Sequence, residues 1–375
     1  MIKFIEFIFG AFLVGVALYD VFQSVVVPRW TGRLLRLAPF ILHLLWPRWR
    51  AFGVRLKPQK REDFLATFAP LSVIISLAIW VLVLMLGYGL MLHSLRNGIK
   101  PVPHSFGTAL YMAGTSLLTI GYGDIVATQA LPRLICLLAG ASGLAIVALV
   151  ISLTFTLYDA FKRREVMVLT LDARAGAPPS GVTLLETHAQ FDMIDDLNPL
   201  FGSWELWSAE VLESHLAYPV LPFFRSSHDS ESWVSALGAV LDAATLVLTT
   251  IQTGNEYSIR SSGAAHMMYG LGCHFVTDLS HYFGFRFDPP PDMTNEEAIA
   301  RAGVERGEFE AARRRLAKAG YAVCDDEQSW LNFAHHRATY ANALNELAKH
   351  FATPPSQWIG DRSSIHHLHR EASTT

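Results

Sequence analysis

The chain has 375 residues, room for two or three domains, with 51% hydrophobic and 17% charged residues and a formal net charge of −3. That balance is apolar for a soluble protein of this size, and the charge argues for neither nucleic acid nor acidic partners. Cys136, Cys273 and Cys324 are too far apart in sequence for a disulfide framework or a zinc spacing.

The apolar residues concentrate in the first 160 positions. Phe4 to Val27 is long enough to span a bilayer but carries Glu6 and Asp20. A mid-membrane carboxylate costs about 2.5–3.5 kcal/mol, and neither residue is central, so a span is the better reading. Asp20 is either a functional intramembrane charge or a group near the headgroups. A basic n-region and a small-residue cleavage site are not evident, so no cleaved leader is expected. Phe64 to Leu95 contains no Asp, Glu, Lys or Arg and predicts a second span, with Pro70, Gly87 and Gly89 as places to bend. Leu134 to Tyr158 predicts a third. Between these two lies Ser105 to Leu118, too short to cross and suited to a re-entrant helix surrounded by protein.

Basic residues set the expected orientation. Arg29, Arg33, Arg36, Arg48, Arg50, Arg55, Lys57, Lys60 and Arg61 precede the second span, and Lys162, Arg163 and Arg164 follow the third. Only Arg96 and Lys100 sit in the intervening loop. Both basic clusters are expected in the cytoplasm, with residue 1 and the loop outside. Leu34 to Trp49 reads as an interfacial helix anchored by Trp30, Trp46 and Trp49, with a short further span as the alternative.

From residue 166 onward, amphipathic helical runs alternate with breaks at Ala177-Pro178-Pro179 and Pro289-Pro290-Pro291. Helices are expected at Trp204–Leu216, Ser232–Ile251, Gly263–Phe283, Asn295–Ala302, Arg306–Ala319 and Gln328–Phe351. Thr294 and Glu297 have capping-box spacing. The run Trp233–Ile251 lacks basic flanks and reads as a core helix rather than a fourth span. No β-branched alternation predicts a sheet. The divisions expected are 1–63, an N-terminal span and basic interfacial linker; 64–165, two spans with the re-entrant run between them; and 166–375, a helical cytoplasmic domain.

The most informative run is Thr119-Ile120-Gly121-Tyr122-Gly123-Asp124. Gly121 and Gly123 permit the positive φ that lets successive carbonyls point at one line. Several such loops around an axis make a cage of oxygens able to replace a cation's hydration shell. Ile120 and Tyr122 should point away from the axis, Thr119 can add its hydroxyl, and Asp124 would attract cations at the mouth. The re-entrant helix would direct its negative C-terminal end at the cavity below.

Over roughly residues 64 to 164 the chain resembles the potassium channel family, whose filter loop is written TVGYG where this chain has TIGYG. The resemblance is to the two-helix pore module of bacterial members. It implies an all-α, pore-loop cation channel membrane fold, potassium as the permeating ion, and a homotetramer in the cell membrane. It places Arg133 at the opening of the inner helix and Gly143 at a hinge, with Gly140 nearby. Two positions depart: the aromatic pair many members carry reads Tyr111-Met112, and Thr115 stands where some have glutamate. A second Gly-Tyr-Gly, at 87–89, lies within a span without a re-entrant run and reads as helix packing. Arg29, Arg33 and Arg36 lie past a span, which does not suit a voltage sensor.

Helical spacing puts Leu144, Val147, Ile151 and Phe155 on one stripe. The resemblance turns it toward the axis, with Ile151 and Phe155 as the gate and Asp159 at the mouth; the alternative packs it on the outer helix. His274, Asp278 and His281 share a helix face and could bind a metal with His266 or Asp242, or serve as buried hydrogen-bonded groups. His366, His367 and His369 belong to a solvated tail. Arg313, Arg314, Arg315 and Lys318 read as a solvated face rather than a nucleic-acid site. A Gly-x-Gly-x-x-Gly loop after a strand is missing, and the regulatory ligand is left unidentified. The functional alternative is a membrane-anchored signalling or enzymatic protein whose active part is 166–375.

Overall fold

The computed structural model describes residues 1–26, 37–226, 231–252, 262–288, 290 and 292–359. Arg29, Trp30, Arg33, Leu34, Arg36, Pro289, Pro291, His366, His367 and His369 lie outside the described residues. Helix α1 spans Ile2–Val21 and ends in a π-helical turn, Phe22–Val26. It is followed by α2 (Leu37–Gly53), α3 (Pro58–Ala66), α4 (Phe68–Ser94), α5 (Phe106–Leu117) and α6 (Ala130–Ala175). Among the described residues three helices are long and apolar enough to cross a membrane: Ile2–Val25, Lys60–Ser94 and Ala130–Ala175. The fold is that of an all-α membrane protein. Its sheet is a two-residue ladder, β1 (Ile99–Lys100) antiparallel to β2 (Val126–Ala127).

Two compact units divide the chain. The first holds Met1–Phe52, Thr67–Asp159 and Ala217–Leu221; the second holds Gly53–Ala66, Ala160–Leu216 and the described residues from Pro222 on. Helix α6 contributes to both, because the residues after its apolar stretch, from Lys162 to Ala175, are good helix formers without Gly or Pro.

In the first unit α1 and α4 run antiparallel in close contact. Glu6 Oε2 lies 3.2 Å from His93 Nδ1, and Trp80 Nε1 donates to Asp20 Oδ2 at 2.6 Å. Between these pairs the helices touch backbone to backbone. A Cβ added to Gly10 would lie 2.5 Å from the Gly87 carbonyl, and one on Gly87 would lie 2.9 Å from that of Gly10. Small residues give membrane helices their contact area this way, since the bilayer supplies no hydrophobic drive between them. Gly87-Tyr88-Gly89 is therefore a packing element, as read from its position. Tyr88 adds a polar link to α6, its hydroxyl 2.7 Å from Ser142 Oγ. Asp20, 2% exposed, is enclosed beside an indole.

Helix α2 covers most of the expected interfacial helix, but Trp46 is not an anchor in lipid. It is 3% exposed and packs on Phe68 with ring centroids 4.9 Å apart, and Trp49 lies 6.0 Å from the same ring. The indoles fill the joint at the start of the outer helix.

The second unit adds α7 (Gly181–Gln190), α8 (Leu197–Ala217), α9 (Trp233–Thr249), α10 (Gly263–Tyr282), α11 (Asn295–Ala302), α12 (Arg306–Ala319), α13 (Glu327–Ala338) and α14 (Ala341–Phe351). Helix α9 is its axis, enclosed by α7, α10, α13 and α14 and buried along nearly its whole length, as expected of a core helix rather than a span. The expected Gln328–Phe351 helix is broken in two around Thr339 and Tyr340. Both flanking residues turn inward: Arg337 Nε donates to Asp242 Oδ1 at 2.9 Å, and the Tyr340 hydroxyl donates to the same oxygen at 2.6 Å. Arg337 also reaches the carbonyls of Ala302 and Trp358. The α11 capping box forms as spaced, Thr294 Oγ1 accepting from Glu297 N.

Arg164, read from sequence as part of a basic membrane exit, is a core residue of this unit, 1% exposed. Its guanidinium donates to His215 Nε2 at 3.2 Å and to the Phe224 carbonyl at 2.6 Å, and lies over the rings of Phe161 and Trp233. Burial first, then the neighbouring guanidinium, holds the His215 imidazole well below its usual protonation range, so it stays a neutral acceptor.

Two outcomes follow from these buried groups. Arg337→Met leaves the Asp242 carboxylate without its cation and should lower the stability of the full-length protein by about 3–5 kcal/mol, read as the midpoint of urea unfolding in detergent. The unfolded chain protonates His215 before the folded one does. Stability is therefore complete above about pH 6.5 and falls as the pH drops further, a loss that His215→Gln should reduce. Equal pH dependence of the parent and variant midpoints between pH 7.5 and pH 5 would contradict this.

Candidate functional site: the re-entrant helix and loop

Helix α5 starts where its sequence caps it. Ser105 Oγ accepts from Thr108 N at 3.3 Å, satisfying one of the helix's unpaired end amides. It lies against α4 at glycine contacts: a Cβ on Gly89 would stand 3.1 Å from Leu110 Cδ1, and one on Gly114 would stand 3.0 Å from Met85 Sδ.

The C-terminal end of α5 organises the loop that follows. The carbonyl of Thr115 accepts from Ile120 N at 2.8 Å and from Gly121 N at 3.3 Å, and that of Ser116 accepts from Thr119 N. Thr115, the position that departs from the family pattern, thus supports the loop through its backbone. Three alternate residues have left-handed backbone: Thr119 (φ 55), Gly121 (φ 57) and Gly123 (φ 79). A residue in this region flanked by ordinary residues turns successive carbonyls to the same side. Glycine takes it without penalty, whereas Thr119 stores strain of order 1–3 kcal/mol.

Gly143 fits against this same helix end. A Cβ there would lie 1.8 Å from the Leu117 carbonyl oxygen, a closer approach than any side chain tolerates. Gly140 sits one turn earlier, where a Cβ would stand 3.3 Å from the Ser116 carbonyl. Helix α6 runs unbroken through both. The sequence supplied the glycine as a hinge; the structure gives it a packing role that no periodicity signals.

Beyond the loop, the chain returns through β2. Thr128 N donates to the Gly98 carbonyl at 2.8 Å, and Arg133 Nε donates to that of Ala127 at 3.1 Å. Arg133 thus fastens the return strand to the start of α6. Tyr111, at the departed aromatic position, has Asp124, the last residue of the motif, as an electrostatic neighbour.

Among the described residues the loop finds no cover within its own chain. Ile120 is 48% and Tyr122 71% exposed, so the side chains expected to pack behind the carbonyls have no own-chain wall. The stripe of Leu144, Val147, Ile151 and Phe155 is likewise open, from 53% to 73% exposed. Ile146 and Leu157 take the inward face of α6 at 1% and 3%. The stripe therefore does not pack on the outer helix of its own chain.

The second candidate cluster is not brought together. His274 Nε2 pairs with Asp278 at 3.3 Å, whereas His281 Nε2 turns to Asp288 at 3.0 Å. Asp242 is committed to Arg337 and His266 is exposed; among the described residues no three such groups could hold a metal ion.

Residues 78–159 match the family model described as Ion channel, from mid-α4 to the last residue that α6 gives the first unit. Fold and match together support a membrane protein carrying an ion channel segment, which points to transport rather than catalysis. The chain is also 22% identical over 200 residues to the uncharacterized membrane protein YdjJ of Bacillus subtilis (strain 168). That alignment covers 52% of this chain and 58% of the relative, so the chain spans less than two thirds of the relative's length. No solved structure matches the chain.

Gly143→Ala should overpack the joint between α5 and α6. Overpacking costs typically 1–3 kcal/mol, and the closeness of this contact puts the expectation at about the upper end. Gly140→Ala should cost less. The order of the two thermal midpoints, measured on purified full-length protein, checks the assignment.

Proposed function

We propose that the chain is a subunit of a potassium-selective channel, assembled as a homotetramer in the cell membrane. K+ passes a filter built from Thr119, Ile120, Gly121, Tyr122 and Gly123. The observation that carries this reading is the left-handed backbone at 119, 121 and 123 beside the end of α5. Four such loops around an axis would present stacked rings of carbonyls in place of water. The exposure of Ile120 and Tyr122 in one chain supports assembly, since neighbouring copies would supply the missing wall. Asp124 then concentrates cations at the outer mouth.

In this reading the open stripe of α6 lines the pore, and Ile151 and Phe155 form a constriction that closes it by excluding water. Residues 166–375 act as a cytoplasmic regulatory domain in direct helical continuity with that gate, with the filter loop and residue 1 on the outside.

Rubidium and potassium should enter vesicles containing the purified protein while sodium is excluded; equal sodium entry would sink the proposal. Gly121→Ala and Gly123→Ala place a Cβ where left-handed backbone costs about 1–2 kcal/mol per residue, repeated in every subunit, and should abolish selective flux. Phe155→Ala should raise resting rubidium flux on the order of tenfold, the effect of about 1.4 kcal/mol off a barrier, with selectivity intact. An unchanged resting flux would move the gate elsewhere.

A further inference from the structure

The second unit holds a cavity of about 330 Å³, within the usual ligand-site range of roughly 300–1,000 Å³. It lies between residues 167–174 of α6 and 196–204 at the start of α8. The same two helices are joined further along, where Trp207 Nε1 donates to the Arg164 carbonyl at 3.2 Å. The floor of the cavity is apolar and buried: Leu171 and Trp204 are 2% exposed and Leu200 is 6%. Trp204 is held in place by Trp207, their ring centroids 4.5 Å apart. The rim is polar and exposed, and carries Thr170, Arg174, Asp196 and Ser203.

Two charges on this rim are unspent. Arg174 and Asp196 line one cavity, yet among the described residues neither side chain makes a hydrogen bond or an ion pair, with the other or with any third group. The two hydroxyls are committed as donors, Thr170 Oγ1 to the Met167 carbonyl and Ser203 Oγ to that of Pro199, each at 2.9 Å. They keep only their capacity to accept.

This set of groups selects by charge. An anion is opposed by Asp196 and a cation by Arg174, while an uncharged apolar molecule covers the floor and leaves both charges without a partner. A molecule with a carboxylate, an ammonium and an apolar body answers all three features at once. We propose that the cavity binds a free α-amino acid with a large apolar side chain. Its carboxylate pairs with Arg174, whose planar fork suits that group, and its ammonium pairs with Asp196. Thr170 and Ser203 accept remaining ammonium protons, and the side chain lies on Leu171, Leu200 and Trp204.

A consequence for conduction rests on the proposed channel reading; the site does not. Helix α6 runs unbroken from the residues assigned to the gate to the cavity, about 18 Å of helix from Phe155 to Met167. A ligand bridging α6 and α8 would tie down the far end of the gate helix, so binding should change flux.

The test is isothermal titration of purified full-length protein in detergent with leucine, methionine and phenylalanine. Each is compared with its N-acetyl derivative, which lacks the ammonium, and its amide, which lacks the carboxylate. At least one free amino acid should bind, and its two derivatives should bind about tenfold more weakly, the scale of one lost charge-assisted contact. Arg174→Gln and Asp196→Asn alter exposed side chains and leave the core untouched. Each should weaken the free amino acid about tenfold. Arg174→Gln should also abolish the preference over the amide, and Asp196→Asn the preference over the N-acetyl derivative, losses that a merely structural role would not produce. No binding at millimolar concentration, derivatives that bind as well as the free amino acid, or preferences that survive both variants overturn the site. Rubidium flux into vesicles, with and without the bound amino acid, reports the rest. Binding without any flux keeps the site and sinks the channel reading, selective flux without binding does the reverse, and selective flux that ignores a bound amino acid overturns the regulatory consequence alone.

Discussion

The bare Cα of Gly143 against the carbonyl of Leu117 is the contact on which the first unit depends. The last carbonyls of a helix have no partner within it and must find one elsewhere. Here the chain itself answers: Thr115 and Ser116 accept from the loop that follows, and α6 closes over Leu117 at a distance only glycine allows. That closure fixes the end of α5, and the end of α5 fixes where Thr119 begins. The left-handed residues then follow from a start point that cannot shift without opening the joint.

The second unit solves a different problem by burying charge. It places Arg164 and Arg337 in its interior, each fully engaged by carbonyls, rings or a carboxylate. A buried ion pair is weak as a source of net stability but demanding in geometry, because either partner alone is costly. Arg337 joins α9, α13, the end of α11 and the residues near Trp358 through one planar group. Arg164 does the same for α6, α8 and the segment after residue 221.

The sequence disclosed what local chemistry determines. The motif at 119–124, the bounds of α11 and α12, the Thr294 cap and the core character of α9 all rest on residues close together in the chain. It did not disclose what depends on distant partners. Nothing near Gln328–Phe351 contains a Gly or Pro to break it; the break belongs to Arg337 and Tyr340 turning toward Asp242. Trp46 looks like an interfacial anchor until Phe68 is placed beside it. Arg164 looks like a membrane-exit charge because positive runs at span ends usually are. Helix α8 begins at Leu197 rather than Trp204, since Pro199 is compatible with a helix's first turn. Gly143 was legible as special, but its role was not, because periodicity names a face and not what touches it.

The chain does not pass once from the first unit to the second. Gly53–Ala66, the stretch that leads into the outer helix, belongs with the second, where Arg225 grips Glu62 and Arg61 reaches the carbonyl of Ala352. Cutting the polypeptide after α6 would therefore not detach a self-contained module. It would strip α3 of its clasps and leave α4 and α6 ending in unsupported segments. Dissecting the two halves of this protein calls for point changes at those clasps, with the thread kept whole.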